Sequence, residues 1–370
     1  MKRNIAYKYR IYPKQDQIIL FSKTFGCCRK VYNLMLEEQR EHLLANGRIT
    51  KLTPARYKNR LPYLREVDSL ALANEQLNLE SAFRNYFKNK HNGFPKFKSK
   101  KTDRNSYTTN LVNDNIVIGN NVIKLPKVGE IKTRMHRKIE DGLKLKSVCI
   151  SKERDETYYA SILYEYEDDE IEKRDGISHI GLDYKQDGLY VDSNGNCADM
   201  PHFYKKSLRK YKRYQKRLSK KDKESNNYQK QKVRLAKQAR HITNQRKDYL
   251  HKLSNEITNH YELVSVEKLD LKKMSKKEKK MGKSIYDNGY GMFQRMIEYK
   301  QIRKRHHFIK VDEKYPSSQL CSKCGYKNPI TKDLKVRKIT CPECGDEYDR
   351  DINAAINIDR EGYRNYLSQI

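Results

Sequence analysis

The chain has no long apolar run. No stretch approaches the ~20 residues needed to span a bilayer, so no membrane partner is expected. No secretory leader is expected either, since Met1 is followed at once by Lys2 and Arg3. Without a leader, disulfides are not expected, and the 8 cysteines read as thiols or metal ligands. Acids are in deficit: 47 Asp and Glu face 79 Lys and Arg, a net charge of +32. Tryptophan is absent, so the aromatic content rests on 28 Tyr and 9 Phe.

What is present points to a polyanion partner. The positive excess is spread along the whole chain, a field that solubility alone does not require and that suits nucleic acid. Tyrosines sit among the basic residues, as in Tyr204-Lys205-Lys206 and Tyr211-Lys212-Arg213-Tyr214, a mixture fit for base stacking with phosphate neutralisation. Mean hydropathy is −1.01, yet 36% of the 370 residues are hydrophobic, enough for two or three domains with their own cores.

Residues 2–12 alternate polar and apolar and predict a strand, ended by Pro13. A helix follows with Phe21, Phe25, Cys28, Tyr32 and Met35 on one face. A second helix near 74–90 places Leu79, Ala82, Phe83, Tyr86 and Phe87 on one face. Strand patterns fill 106–167, and an acidic linker spans 167–175. The first strand completes this small β-barrel or sheet, with the helices as an excursion. Next come a strand ending in Asp183 and its partner over 188–192. A basic helical hairpin over 203–259 follows, its seam formed by Leu235, Ala239, Ile242, Tyr249, Leu253 and Ile257. A strand then ends in Glu267, a lysine-rich loop covers 272–283, and a helix over 291–305 presents Met292, Met296 and Tyr299. A last strand covers 307–312.

Two Cys-x-x-Cys-Gly knuckles then carry Cys321, Cys324, Cys341 and Cys344, with sixteen residues between the pairs. Four thiolates at this spacing suit a closed tetrahedral zinc site, which is structural because no coordination position stays open. Cys27, Cys28, Cys149 and Cys197 are read as structural thiols.

The remaining chemistry lies in acids. Asp183 and Glu267 each end an apolar strand, and Asp351 opens a helix just after the second knuckle. Singly, each reads as an ordinary exposed acid. Together, in a chain this basic, they form a carboxylate set able to hold two Mg²⁺ about 4 Å apart for phosphodiester hydrolysis.

The order strand–Asp183, hairpin, long helices, strand–Glu267, helix–Asp351 resembles a ribonuclease H-like core of the RuvC type. The C-terminal half is similar to the TnpB family of transposon-encoded RNA-guided nucleases, relatives of type V CRISPR effectors. The residues that carry the resemblance are Gly181-Leu182-Asp183, Val266-Glu267-Lys268-Leu269, Tyr315, Ser317-Ser318-Gln319 and the first knuckle. Leu334, Arg337 and Asp349-Arg350-Asp351-Ile352-Asn353-Ala354-Ala355-Ile356-Asn357 continue it. Lys8-Tyr9-Arg10-Ile11-Tyr12-Pro13 and Gly93-Phe94-Pro95-Lys96-Phe97-Lys98 extend it, more loosely, to the N-terminal half.

The resemblance implies a multidomain α/β chain. An N-terminal wedge-like β-barrel (1–13 and 105–174) would hold a helical recognition insert (14–104). A RuvC-like nuclease domain (175–312 and 347–370) would hold a zinc ribbon insert (313–346). It implies catalytic, Mg²⁺-binding roles for Asp183, Glu267 and Asp351, with Asp351 taken rather than Asp349. It also implies zinc on the four knuckle cysteines and a phosphate contact for Arg337. The partners implied are a guide RNA from the transposon end and a double-stranded DNA target read beside a short flanking motif. One protein per RNA, in the cytoplasm of a prokaryotic cell and at its nucleoid when on DNA, is the expected state. Arg240, Arg246, Lys247 and Lys252 are candidates to grip the RNA–DNA hybrid, and Tyr32, Asn78 and Thr108 to read the flanking motif. Tyr184 departs from the small residue the family often has after the Asp and raises a question about metal access. The alternatives are an RNA-guided DNA-binding repressor without cleavage, against which all three acids argue, and a strand-joining transposase.

Overall fold

A computed structural model describes residues 1–169, 171–185, 188–270, 274, 287–332 and 336–369. It divides into two compact units, Met1–Asp169 and Glu170–Ile370. The lysine-rich loop over 272–283, apart from Met274, and Leu334 lie outside the described residues.

The first unit is built on β1 (Lys2–Tyr12). Its alternation buries Tyr7, Tyr9 and Ile11 on one face, as period-two strands do. β1 pairs antiparallel with the C-terminal strand of the unit, so that Lys2 meets Glu167 and Ile11 meets Tyr158. With β2 (Asn105–Asn110), β3 (Val117–Gly119), β4 (Val122–Leu125), β5 (Gly129–Arg134), β6 (Lys144–Lys152) and β7 (Tyr158–Glu167), the order is β2-β6-β7-β1-β5-β4-β3. Every pairing in it is antiparallel. Where a barrel or sheet is expected, the described residues form a seven-stranded sheet with β2 and β3 at its edges, and no pairing closes it into a barrel.

Two α-helices complete this unit, α1 (Gln15–Asn46) and α2 (Ser69–Lys88). Phe21, Phe25, Cys28, Tyr32 and Met35 of α1 are all buried, as their spacing predicts. The buried stripe of α2 is displaced from the predicted one. The helix starts earlier, capped by the Asp68 carboxylate, which accepts from Leu70 N–H at 3.0 Å. Its core face therefore runs Leu72, Glu75, Leu79, Phe83, and Phe87 is 53% exposed.

The second unit holds a mixed sheet of β8 (His179–Tyr184), β9 (Tyr190–Asp192), β10 (Cys197–Ala198), β11 (Leu263–Glu267) and β12 (His307–Val311). The order is β10-β9-β8-β11-β12. β8, β11 and β12 run parallel, which requires crossover connections. α3 (Phe203–Ser219) and α4 (Asn226–His260) supply the first, and α5 (Tyr290–Arg303) lies in the second.

The seam expected along α4 holds only in part. Ile242 and Ile257 are buried, joined by Leu250 and Ser254, while Leu235, Ala239, Tyr249 and Leu253 are half-covered. The outer half of α4 meets α3, none of whose residues is buried. On α5 the core face is Tyr290, Phe293, Met296 and Ile297, and Tyr299 is exposed. Lys300 locks α5 to α4: its Nζ donates to the His251 carbonyl at 2.8 Å and to Ser254 Oγ at 2.6 Å. Burial lowers the Lys300 pKa to about 8, with Lys304 adding to it.

The zinc-ribbon segment contributes β13 (Lys338–Thr340) and β14 (Glu347–Asp349), paired antiparallel, and leads straight into α6 (Arg350–Leu367). Among the described residues no helix is long and apolar enough to cross a membrane.

Candidate carboxylate centre and zinc ribbon

Alternation along the parallel strands decides which side chains meet. Ile180, Leu182, Val264 and Val266 belong to the core shared with Leu250, Phe293 and Ile297, so they face α4 and α5. Gly181 and Ser265 point the other way, against α6. A Cβ on Gly181 would lie 2.3 Å from the Ala355 carbonyl oxygen and 2.5 Å from Asp359 N. A Cβ on Gly362 would lie 1.9 Å from Ser265 Oγ. Two glycines thus let α6 lie flat on β8 and β11.

Asp183 and Glu267 stand two residues beyond Gly181 and Ser265, hence on the α6 face. They fall one step past the last paired residues, Leu182 and Val266. Parallel neighbours in this position lie roughly 5 Å apart between backbones. Asp351 enters from the first turn of α6. Electrostatics reflects the convergence: burial pushes the Asp183 carboxyl up to about 8, and Glu267 and Asp351 add to it as neighbouring negative charges. Burial also raises Glu267, with Glu313 contributing. Acids that feel one another in this way repel unless a proton or a cation sits among them; among the described residues the group close enough to hold a metal as it stands is the four-cysteine cluster.

The two acids of Asp349-Arg350-Asp351 have separate tasks. The Asp349 carboxylate caps α6, accepting from Asp351 N–H at 2.9 Å and Ile352 N–H at 3.2 Å. Asp351 is left to face Asp183. Its two oxygens both accept from Arg337 Nη1 at 2.8 Å. Arg337 precedes β13, and its carbonyl accepts from Arg350 N–H at 2.8 Å, so the ribbon fixes its backbone beside the helix start.

Tyr184, next to Asp183, turns to the opposite face and packs on Tyr290 with ring centroids 4.7 Å apart. It therefore fills core rather than covering the acids. Tyr290 is fully buried, and burial followed by Asp183 raises its hydroxyl pKa, which keeps it neutral.

The ligand atoms of Cys321, Cys324, Cys341 and Cys344 all lie within 4.8 Å of one another. Sγ of Cys321 is 3.8 Å from that of Cys344, and Cys324 is 3.6 Å from Cys341. A tetrahedral shell with Zn–S of ~2.3 Å needs sulfurs about 3.8 Å apart, so the cluster fits zinc. Each knuckle is closed by a backbone bond, Gly325 N–H to the Cys321 carbonyl and Gly345 N–H to the Cys341 carbonyl, both 2.9 Å.

Two asparagines join this ribbon to the centre, and neither was assigned a role from sequence. Asn353 Nδ2 donates to the Leu320 carbonyl at 2.6 Å, while its Oδ1 accepts from Ser322 N–H at 2.7 Å. Asn357 Nδ2 donates to the carbonyls of Ser317 and Leu320 at 2.8 and 2.7 Å. Their spacing of four along α6 was the available signal: two buried amides on one helix face need partners.

The remaining candidates scatter. Arg246 does not offer a solvated charge: it pairs with Asp287 at 2.6 Å, with 16% of its side chain exposed. A contact from Arg246 to a hybrid would require it to leave Asp287. Lys252 is exposed and pairs with Asp248 across one turn, Lys247 is exposed, and Arg240 is half-buried. In the first unit, Asn78 and Thr108 line one cleft of about 220 Å³ with Arg29, Glu75 and Lys98. Tyr32 is buried beside it, with Lys98 Nζ 4.1 Å from its ring centre.

Comparison with known proteins bears on the family of the chain. Residues 290–358 match the family model described as Cas12f1-like, TNB domain, and residues 161–278 the OrfB/IS605 model described as Probable transposase. Residues 1–48 match a model described as Helix-turn-helix domain, although here they form one strand and one 32-residue helix. A protein of Streptomyces pristinaespiralis, provisionally named an RNA-guided DNA endonuclease, is 32% identical over 95% of this chain and 88% of its own length. The similarly named InsQ of Escherichia coli is 29% identical over 98% and 93%. A solved structure of a Cas12f1–sgRNA–target DNA complex shares the fold, with TM-score 0.59 and 14% identity over 96% of this chain and 98% of that one. The two Cys-x-x-Cys knuckles, the strand-end acids and this near full-length kinship together show that the chain belongs to the TnpB family of transposon-encoded RNA-guided nucleases.

Proposed function

We propose that the chain is an RNA-guided DNA endonuclease whose single hydrolytic centre is Asp183, Glu267 and Asp351. The observation that carries this reading is the placement of three acids from β8, β11 and α6 at one end of the parallel strands, where burial first, and then the charges of Glu267 and Asp351, raise Asp183 to about 8. Oxygen-only donors of this kind suit Mg²⁺. Two Mg²⁺ held by Asp183, Glu267 and Asp351 would supply an activated water and neutralise charge on the leaving oxygen.

The residues of the chain supply placement. The parallel pairing of β8 and β11 holds Asp183 and Glu267 abreast, and α6 delivers Asp351 over them. Arg337 extends an exposed guanidinium at the same edge, where a phosphate of the scissile strand would be received by charge-assisted hydrogen bonds. Behind the strand end, on the α5 face, Tyr290 packs under Tyr184 as a buried, neutral ring.

The partners we assign are a guide RNA from the transposon end and a double-stranded DNA target beside a flanking motif, with base pairing reading the rest. One zinc on Cys321, Cys324, Cys341 and Cys344 stabilises the ribbon. The cleft of Asn78 and Thr108 is assigned to the flanking motif. The basic hairpin of α3 and α4, with Arg240, Lys247 and Lys252, is assigned to the hybrid. The wedge-like β domain, recognition insert, nuclease domain and zinc ribbon are assigned the residue ranges given above.

The decisive experiment is cleavage by Asp183→Ala protein charged with the RNA that co-purifies with wild type. Cutting of matched DNA should vanish while RNA-dependent DNA binding persists. Cutting that survives the substitution removes Asp183 from the centre. Recovery of no discrete RNA species counts against guidance altogether.

A further inference from the structure

We propose that Arg337 is a phosphate-sensing latch: it occupies Asp351 until a nucleic-acid phosphate draws it off, and Asp351 then becomes available to a divalent cation. The inference rests on the carboxylate centre assigned above and adds to it a rule for when that centre is armed.

Three features of the pair carry the argument. One guanidinium nitrogen serves both oxygens of Asp351, each at 2.8 Å, so neither oxygen is clear of its positive charge. A second cation on the same carboxylate would be repelled across that distance. The Arg337 side chain is also 60% exposed and that of Asp351 25%. The pair therefore lies where a strand can reach it, and its planar fork matches phosphate as well as carboxylate.

The backbone makes this a side-chain switch. The Arg337 carbonyl is bonded to Arg350 N–H at 2.8 Å, and the next residue, Lys338, is paired with Asp349 across the ribbon. The zinc knuckle containing Cys341 and Cys344 follows directly. Movement is thus confined to the arginine side chain, which can exchange one anion for another without shifting α6. The nearby acid Asp349 offers no alternative perch, because its carboxylate caps α6. The exchange is between like partners, carboxylate for phosphate, so a small difference in affinity suffices to throw it.

The consequence is order. Without a strand, the third carboxylate is neutralised by Arg337, and the centre binds divalent cations weakly. A strand that brings its phosphate to Arg337 releases Asp351 and recruits the cation beside the same phosphate. Metal loading then reports substrate arrival, and an idle centre stays disarmed.

The test is Mn²⁺ binding, followed by electron paramagnetic resonance, to the zinc-loaded full chain free of nucleic acid. Arg337→Ala and Arg337→Gln should each bind Mn²⁺ about tenfold more tightly than wild type, equivalent to ~1.4 kcal/mol. Lys338→Ala removes a charge from the adjacent residue and should stay within about twofold of wild type, the size of a screened surface effect. A short single-stranded phosphorothioate oligonucleotide should tighten Mn²⁺ binding to wild type and leave Arg337→Ala unchanged. Equal affinities for wild type and both Arg337 variants, with zinc content and melting temperature intact, would overturn the latch. Asp183→Ala keeps the two claims apart. If it abolishes Mn²⁺ binding while the Arg337 variants change nothing, the centre stands and the latch fails. If Asp183→Ala leaves binding untouched, the centre itself is misplaced and the latch falls with it.

Discussion

The carboxylate of Asp349 accepts a hydrogen bond from the backbone N–H of Asp351 at 2.9 Å. Two acids separated by one residue, Arg350, are thereby given different work. The first closes the N-terminus of α6, where a negative group also complements the helix dipole. The second is left to meet Asp183 and Glu267.

That division predicts opposite phenotypes. Asp349→Ala removes a cap and should cost about 1 kcal/mol of stability, with cleavage reduced only as far as Asp351 loosens. Asp351→Ala removes one of three crowded acids and should leave the melting temperature unchanged or higher, while abolishing cleavage. Thermal melts paired with single-turnover cleavage separate the two. Loss of all activity in Asp349→Ala with unaltered folding would reverse the assignment.

A second prediction follows from the contact of α6 with β11. Gly362→Ala drives its new Cβ to 1.9 Å from Ser265 Oγ and 2.4 Å from Ser265 Cβ, whereas the Ser265 Cα lies 3.7 Å away. Overpacking of this kind costs about 1–3 kcal/mol. Ser265→Gly alone should also destabilise, by roughly 1 kcal/mol for a glycine in a strand. The double variant should nevertheless be more stable than Gly362→Ala, because the obstructing atoms are gone. Denaturant melts of the four proteins complete the cycle, and strict additivity would show that the helix and strand do not meet at these residues.

How much of this was legible beforehand depended on distance along the chain. β1 was readable because Tyr7, Tyr9 and Ile11 alternate with charged and polar residues, and α1 because its buried side chains recur every three or four residues. Asp183 and Glu267 stood out because each ends an apolar strand, and the knuckle cysteines because thiolate spacing is local. The pairing of Arg246 was not legible because its partner, Asp287, is 41 positions away. The amides of Asn353 and Asn357 reach carbonyls 33 to 40 positions back, and periodicity carries no information on such pairs. The α5 face was misjudged for a related reason. Burial of Lys300 against α4 rotates the covered side toward Phe293 and Ile297, and a lysine does not announce itself as core.

Lys300 also predicts a pH dependence. Its pKa is lowered to about 8, first by burial and then by Lys304, against about 10.4 in an unfolded chain. Between these values the unfolded chain binds more protons at this group than the folded one. Its contribution to stability therefore rises as pH increases from about 8 to about 10. Below pH 8 both states are protonated, and the penalty of the buried charge is constant. Lys300→Met should remove this rise. The difference in melting temperature between wild type and Lys300→Met should thus change in favour of wild type from pH 8 to pH 10 and stay level from pH 6 to pH 7. A difference that is flat across the whole range would place the charged ammonium in a solvated setting.

The joint between ribbon and helix yields the last prediction. Asn357→Ala strips the Ser317 and Leu320 carbonyls of a shared donor, and Asn357 itself is only 4% exposed. Leu320 keeps Asn353 Nδ2 as a donor, so the acceptor left unpaired is the Ser317 carbonyl, at a cost of about 1–3 kcal/mol. The loss falls on the first knuckle, so the ribbon should loosen from α6 while the strands beneath keep their packing. Arg337 is carried by that ribbon and Asp351 by that helix, so their mutual placement should suffer before the fold does. The expected result is a cleavage rate down by tenfold or more at a temperature where the protein remains folded, with zinc still bound. Faster amide hydrogen exchange in 317–324 than in β8 and β11 would mark the same joint. Unchanged cleavage in a destabilised Asn357→Ala protein would show that the ribbon does not position the centre.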